Sequence, residues 1–199
     1  MKQRPYRGIM LLLMCAGVVF TFRGCKKEGS LVAEPKPEMI YTEHGLLITG
    51  KTMTSIDLDG DGIRDLNFQV QPVSDPSLKV ERKQFNVYSR IHSALLNDRM
   101  DQSPVLTTEE RIRPNHPGFD WWEIAAVVLA EKITLLNGST YWKGDNMNEN
   151  KYYLPVRIAQ QRNFHYGWLE FSIDKENETL VIHRSGIAKE AGKVVVAGK

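Results

Sequence analysis

Leu66-Asn67-Phe68-Gln69-Val70-Gln71 is the stretch that decides the fold class. Leu66, Phe68 and Val70 fall on one side of an extended chain and Asn67, Gln69 and Gln71 on the other, the two-residue period of a strand with a core side and a wet side. A solvated face points to antiparallel pairing, because parallel sheets are normally covered on both faces. The alternation returns at Leu169, Phe171 and Ile173 against Trp168, Glu170 and Ser172. Further short apolar runs, rich in β-branched and aromatic residues, lie at 45–49, 52–57, 85–88, part of 124–136, 152–159, 179–183 and 193–197, separated by turn residues. This spacing predicts a mainly β protein, an antiparallel β-sandwich or jelly roll with one or two short helices. The helical candidates are 90–99 (RIHSALLNDR), with Ile91, Leu95 and Leu96 spaced for a helix, and 121–133 (WWEIAAVVLAEKI). In the second, Ile124, Val127, Val128 and Glu131 fit a helical stripe nearly as well as the Val and Ile content fits a strand, and both readings stay open. RPNHPG at 113–118 and NMNENK at 146–151 read as loops, and no repeat of roughly 20 to 50 residues is visible.

Directly before the deciding strand stands Asp57-Leu58-Asp59-Gly60-Asp61-Gly62-Ile63-Arg64-Asp65, with carboxylates at positions 1, 3, 5 and 9. Four acids so close repel one another, and Arg64 offsets only part of that charge. A hard divalent cation resolves the conflict: calcium takes about six to eight oxygens, and Gly60 and Gly62 permit the tight turn that aims alternate side chains inward. The carbonyl of Ile63, at position 7, is the expected backbone ligand. An EF-hand is excluded, since position 12 is Phe68 where a bidentate Glu is required, and both flanks alternate as strands. The loop resembles the Asp-x-Asp-x-Asp-Gly-x-x-Asp hairpin loops of FG-GAP-type repeats. That resemblance implies Asp57, Asp59, Asp61, Ile63 and Asp65 as the ligands of a structural Ca2+.

At the other end of the chain, MKQRPYRG precedes an uncharged, mostly apolar run of 14 residues from Ile9 to Phe22. About 20 apolar residues are needed to cross a bilayer comfortably, so the run matches the core of a secretory signal peptide. Phe22-Arg23-Gly24-Cys25 then places a small residue directly before a cysteine, as lipoprotein processing requires, although Phe22 and Arg23 depart from the usual Leu-small-Gly pattern. Cys15, the one other cysteine, follows the bulky Met14. Residues 1–24 are therefore expected to be a signal peptide, Cys25 the lipidated residue, 25–38 a tether and 39–199 a single β-sandwich domain. Cys25-Lys26-Lys27-Glu28-Gly29-Ser30 resembles the short charged signals of Bacteroidota surface lipoproteins, which implies an outer-membrane lipoprotein displayed at the surface, with a periplasm-facing protein as the alternative.

Composition narrows the remaining classes. Of 199 residues 42% are hydrophobic and 25% charged, which excludes collagenous and wholly disordered chains. Lys2, Arg4, Arg7 and Arg23 belong to the leader, so the body carries 22 basic against 24 acidic residues and no basic block, a poor nucleic-acid binder. The two cysteines, Cys15 and Cys25, both fall in the first 25 residues, which leaves the body without an internal disulfide or a catalytic thiol. The histidines, His44, His92, His116, His165 and His183, lack HxH or HExxH spacing, and neither a GxSxG elbow nor a nucleotide-binding glycine loop is present. Two carboxylates brought together by the fold would suffice for a glycosidase, and Glu123, Glu131 and Glu170 are the candidates, although each reads first as a surface acid. Trp121, Trp122, Tyr166 and Trp168 are the aromatics able to stack on a sugar ring. The stretch from His165 to Phe171 with the closing Val194-Val195-Val196-Ala197-Gly198 resembles the C-terminal ends of small secreted bacterial β-sandwich proteins, which implies architecture alone. The expected function is a lipid-anchored surface binding or interaction module for a glycan or another envelope protein. A small carbohydrate-active enzyme or a purely structural envelope component are the alternatives.

Overall fold

The computed structural model describes residues 36–144 and 151–199. The leader, Cys25, most of the tether and residues 146–150 of the NMNENK loop lie outside the described residues. Thirteen strands are present among the described residues and no helix. In chain order they are β1 (Met39–Ile48), β2 (Thr54–Ile56), β3 (Leu66–Asp75), β4 (Val80–Ser89), β5 (Ser93–Asn97), β6 (Arg111–Ile112), β7 (Asp120–Glu123), β8 (Ala126–Leu135), β9 (Thr140–Lys143), β10 (Tyr152–Gln160), β11 (Asn163–Asp174), β12 (Thr179–Ala188) and β13 (Val195–Val196). They form a six-stranded sheet in the order β1-β12-β11-β10-β5-β7, a five-stranded sheet β2-β3-β4-β8-β9, and the small pair β13-β6. Neighbouring strands are antiparallel throughout, and the two large sheets pack face to face as a β-sandwich.

Alternation places the core. Leu66, Phe68 and Val70 of β3, Phe85 and Val87 of β4, Leu154, Val156 and Ile158 of β10, Leu169 and Phe171 of β11 and Leu180 and Ile182 of β12 meet between the sheets. Part of the opposite face of the larger sheet is also covered. Tyr153, Tyr166, Trp168 and Ala188 on that face pack under Leu106, Ile112 of β6, and Val195 and Ala197 at the C-terminal end. Trp168 is fully buried and lies on Gly186 of the next strand, where a Cβ would stand 2.7 Å from the indole. Glycine is required there by the close approach of ring and backbone.

The helical expectation for 90–99 is corrected, and the open choice at 121–133 falls to strand. Residues 90–99 turn at His92, which has φ of 72°, and continue as β5, all five residues of which are buried. An interior strand covered on both faces carries apolar side chains at successive positions, which erases the two-residue period and imitates a helical face. Residues 121–133 split into β7 and β8 around Ile124, whose φ is 56°. In β8 the register slips against β4: Phe85 faces Ala130 while Asn86 faces Val128, which leaves Leu129 as the extra residue of a bulge. Val127, Leu129 and Ala130 are buried in consequence, an irregular spacing that reads as helical.

Candidate metal centre

Strands β2 and β3 pair at Ile56 and Leu66, and the Asp65 amide donates to the Ile56 carbonyl over 2.8 Å, so the residues between must reverse direction in a compact loop. Gly60 and Gly62 make the reversal with φ of 79° and 90°, in the left-handed region open to glycine. The aspartates then fold inward onto the backbone. Asp57 accepts from the amides of Asp59 (3.2 Å), Gly60 (2.7 Å) and Gly62 (2.7 Å). Asp59 accepts from the Asp61 amide at 3.2 Å, and Asp61 from that of Ile63 at 2.7 Å.

This wrapping brings Asp57, Asp59 and Asp61 together, with carboxylate oxygens all within 4.8 Å of one another, and the group could hold a metal ion. At that spacing and an effective dielectric constant of about 20, each pair of charges repels by roughly 3 to 4 kcal/mol. Ile63 turns its side chain to solvent, and Asp65 stays outside the group of three. The Asp65 carboxylate is buried and accepts from the Leu58 amide at 2.7 Å. Burial pushes its pKa up to about 7 against that hydrogen bond, and the charges of Asp59, Asp57 and Asp61 add to the rise. Asp59 is likewise raised, by burial first and then by Asp61 and Asp57. Asp57 behaves oppositely: burial works to raise it, but the amides of Gly62 and Gly60 together hold it below the usual range.

The loop belongs to the five-stranded sheet yet is bonded to the six-stranded one. Leu58 is fully buried between the sheets, and its carbonyl accepts from Ser185 Oγ of β12 at 2.9 Å. Gln160 Nε2, at the end of β10, donates to Asp59 Oδ2 at 2.6 Å. The Asp65 carbonyl takes the Arg90 amide at 3.0 Å and Ser93 Oγ of β5 at 2.5 Å. Sequence reasoning missed Gln160, Ser185 and Ser93, which are ordinary polar residues in their own strands and acquire a role only when the sheets meet. A cleft of about 450 Å³ beside β1, lined in part by Glu43, His44 and Arg64, takes in Asp57 but neither Asp59 nor Asp61.

The four aromatic candidates do not form one platform. Trp168 is fully buried and Tyr166 nearly so, which corrects the expectation that either offers a face to a ligand: the strand face they occupy is covered by the C-terminal residues. Trp121 is half-buried, its Nε1 donating to the Pro114 carbonyl at 3.1 Å and its ring 5.3 Å from that of Tyr166. Trp122, its neighbour on β7, points to the opposite face of the strand and is exposed. Two of the three glutamates are also corrected, since they are buried and not surface acids. Glu131 accepts from Arg82 at 3.3 Å and Gln84 at 2.6 Å. Glu170 is fully buried and takes Lys151, Arg184 Nε at 2.9 Å and Tyr153 OH at 3.2 Å. Burial works to raise the Glu170 pKa, and the hydrogen bonds from Lys151 and Arg184 overcome it and hold the group below the usual range.

The chain is thus a two-sheet antiparallel β-sandwich whose loop between β2 and β3 gathers three carboxylates. Comparison with family models, with curated proteins and with solved structures finds no match.

Proposed function

We propose that the protein is a lipid-anchored, exported binding module whose β-sandwich is clamped by calcium at the loop from Asp57 to Asp65. The observation that carries the calcium reading is the double attachment of this loop, covalent to one sheet and hydrogen-bonded through Asp59, Leu58 and Asp65 to three strands of the other. An ion there offsets the repulsion of clustered carboxylates and holds the sandwich closed. Calcium suits the loop better than magnesium, which demands strict six-coordination at shorter distances and sheds water reluctantly. By the resemblance to FG-GAP-type loops, Asp57, Asp59, Asp61, the carbonyl of Ile63 and Asp65 are the ligands. A clamp role is favoured because Asp59 and Asp61 do not line the neighbouring cleft. The binding role is favoured over glycoside hydrolysis because Glu131 and Glu170 are engaged by cations and Glu123 alone of the three is exposed.

At a hundredfold excess over Kd, an ion that binds only the native state adds about 2.7 kcal/mol, which raises the melting temperature of a domain of this size by roughly 5 to 10 °C. Chelation should remove that increment, and Asp59→Ala should lower the melting temperature and abolish its response to calcium. A melting temperature indifferent to both calcium and chelator rejects the clamp.

The anchor rests on Gly24-Cys25 at the end of the apolar run. Cys25→Ser should abolish incorporation of labelled fatty acid and partition into membranes, while Cys15→Ser leaves both intact. Labelling retained in Cys25→Ser sinks the lipoprotein reading.

A further inference from the structure

Strand β10 lies in the interior of the six-stranded sheet, between β11 and β5. Its Arg157 is in register with Tyr166 on one side and with Ala94 on the other, and Ala94 faces Glu123 of β7. The small Ala94 leaves room for the long side chain to lie across the sheet. The guanidinium carbon is 4.1 Å from the centre of the Phe164 ring and 5.7 Å from that of Trp121. Aromatic rings interact with the charge of a guanidinium without using up its five N–H donors.

Those donors meet no acceptor among the described residues. Among the described residues, the half-buried Arg82, Lys83, Lys132 and Arg184 each meet a carboxylate, in pairs with Glu131, Glu178 and Glu170. Arg157 is half-buried too, and it makes no ion pair or hydrogen bond with any described residue. Burial lowers its pKa, with only partial relief from Tyr166 and Glu123. A half-buried cation held against two rings, with in-plane donors that no described residue accepts, has the build of a receptor for a planar oxyanion, which such a fork binds through two parallel hydrogen bonds.

We infer that Arg157, with Phe164 and Trp121, forms a binding site for the acidic group of a saccharide, a uronate or a sulfated sugar. The surroundings select a sugar. Arg157 and Phe164 lie on interior strands, so a peptide added as a strand at the β7 edge would pair with β7 and not with the strands that carry them. Phe164 is 42% exposed and offers an apolar wall to a pyranose face, while the exposed carboxylate of Glu123 accepts from hydroxyls. The assignment rests on the reading of this chain as a binding module and adds the class of its ligand.

The test is binding of the full chain to immobilised polygalacturonate, to its methyl ester and to a sulfated galactan. Retention is expected on an acidic polymer and not on the ester, and the two acidic arms separate a carboxylate ligand from a sulfate one. Arg157→Lys keeps the charge and loses the fork, and should weaken retention roughly ten- to a hundredfold; Arg157→Gln should abolish it. Failure of the wild type to bind either acidic polymer, equal binding to the ester, or undiminished binding by both variants overturns the proposal. Neutral galactan, run beside them, keeps the two readings apart: retention there and on neither acidic polymer overturns the acidic ligand and leaves the binding module standing.

Discussion

Trp168→Ala is expected to destabilise the protein by about 3 to 5 kcal/mol, a large fraction of the roughly 5 to 15 kcal/mol that holds a domain of ordinary stability together. The indole has no exposed surface and is enclosed on every side. Gly186 lies beneath it, the Tyr153 ring meets it edge-on at 5.3 Å, Tyr41 is 6.1 Å away and the Arg184 guanidinium stands 5.3 Å from it. Its Nε1 donates to the carbonyl of Lys199 at 3.3 Å, so the substitution removes both packing and a bond to the last residue. Gly186 and the strand backbones cannot move in to fill the space, which makes the cavity term large. Urea unfolding followed by circular dichroism measures the change. A loss under about 1 kcal/mol would show that the C-terminal cover contributes little.

The second large effect is a loss of stability at alkaline pH that, on the proposed calcium reading, is expected only in the absence of the ion. Asp65 has a pKa of about 7 in the fold against 3.8 when unfolded. Below the unfolded value both states hold the proton and the group is neutral towards stability. As pH rises from there through 7, only the folded state retains it, so stability falls, by about 4 kcal/mol once the rise is complete. Asp57 and Glu170, whose pKa values are depressed, act in the acid range, where stability falls as pH drops through their folded values. In chelator, therefore, the protein should be most stable near about pH 5 and markedly weaker near about pH 8, and calcium should remove the alkaline loss by favouring the carboxylate. Asp65→Asn retains an oxygen for the Leu58 amide and should flatten that slope while blunting the calcium response. Equal melting temperatures at the two pH values in chelator would contradict this account of Asp65.

Legibility in the sequence followed the physics of local patterning. The hairpin at β3 was readable because one of its faces stays wet, and the clustering of Asp57, Asp59 and Asp61 was readable because a short loop fixes its own geometry. Strand β5 was not, since burial on both faces leaves no alternation to detect, and β8 was obscured by the extra residue at Leu129. Alternation in β11 set Trp168, Glu170 and Ser172 on the face opposite Leu169, Phe171 and Ile173 but carried no information about what lies over that face. The cover consists of Leu106, β6 and β13, and its two strands contribute only two paired residues each, brought together from distant parts of the chain. Arg157 was invisible for the same reason. A lone arginine in an apolar strand says nothing of its partners until the sheet order places Phe164 and Trp121 on either side of it.

The position of β1 carries a consequence for the timing of assembly. Its single neighbour is β12, and Met39 pairs with Ala188 at the far end of the body. A polypeptide emerges amino end first, so the first of the described strands waits for the last but one of them before it can pair. Throughout that interval an unsatisfied strand with apolar side chains such as Leu46 and Ile48 is open to other chains in the same state. Completion of the larger sheet therefore depends on a pairing of long sequence separation, the kind that forms slowly.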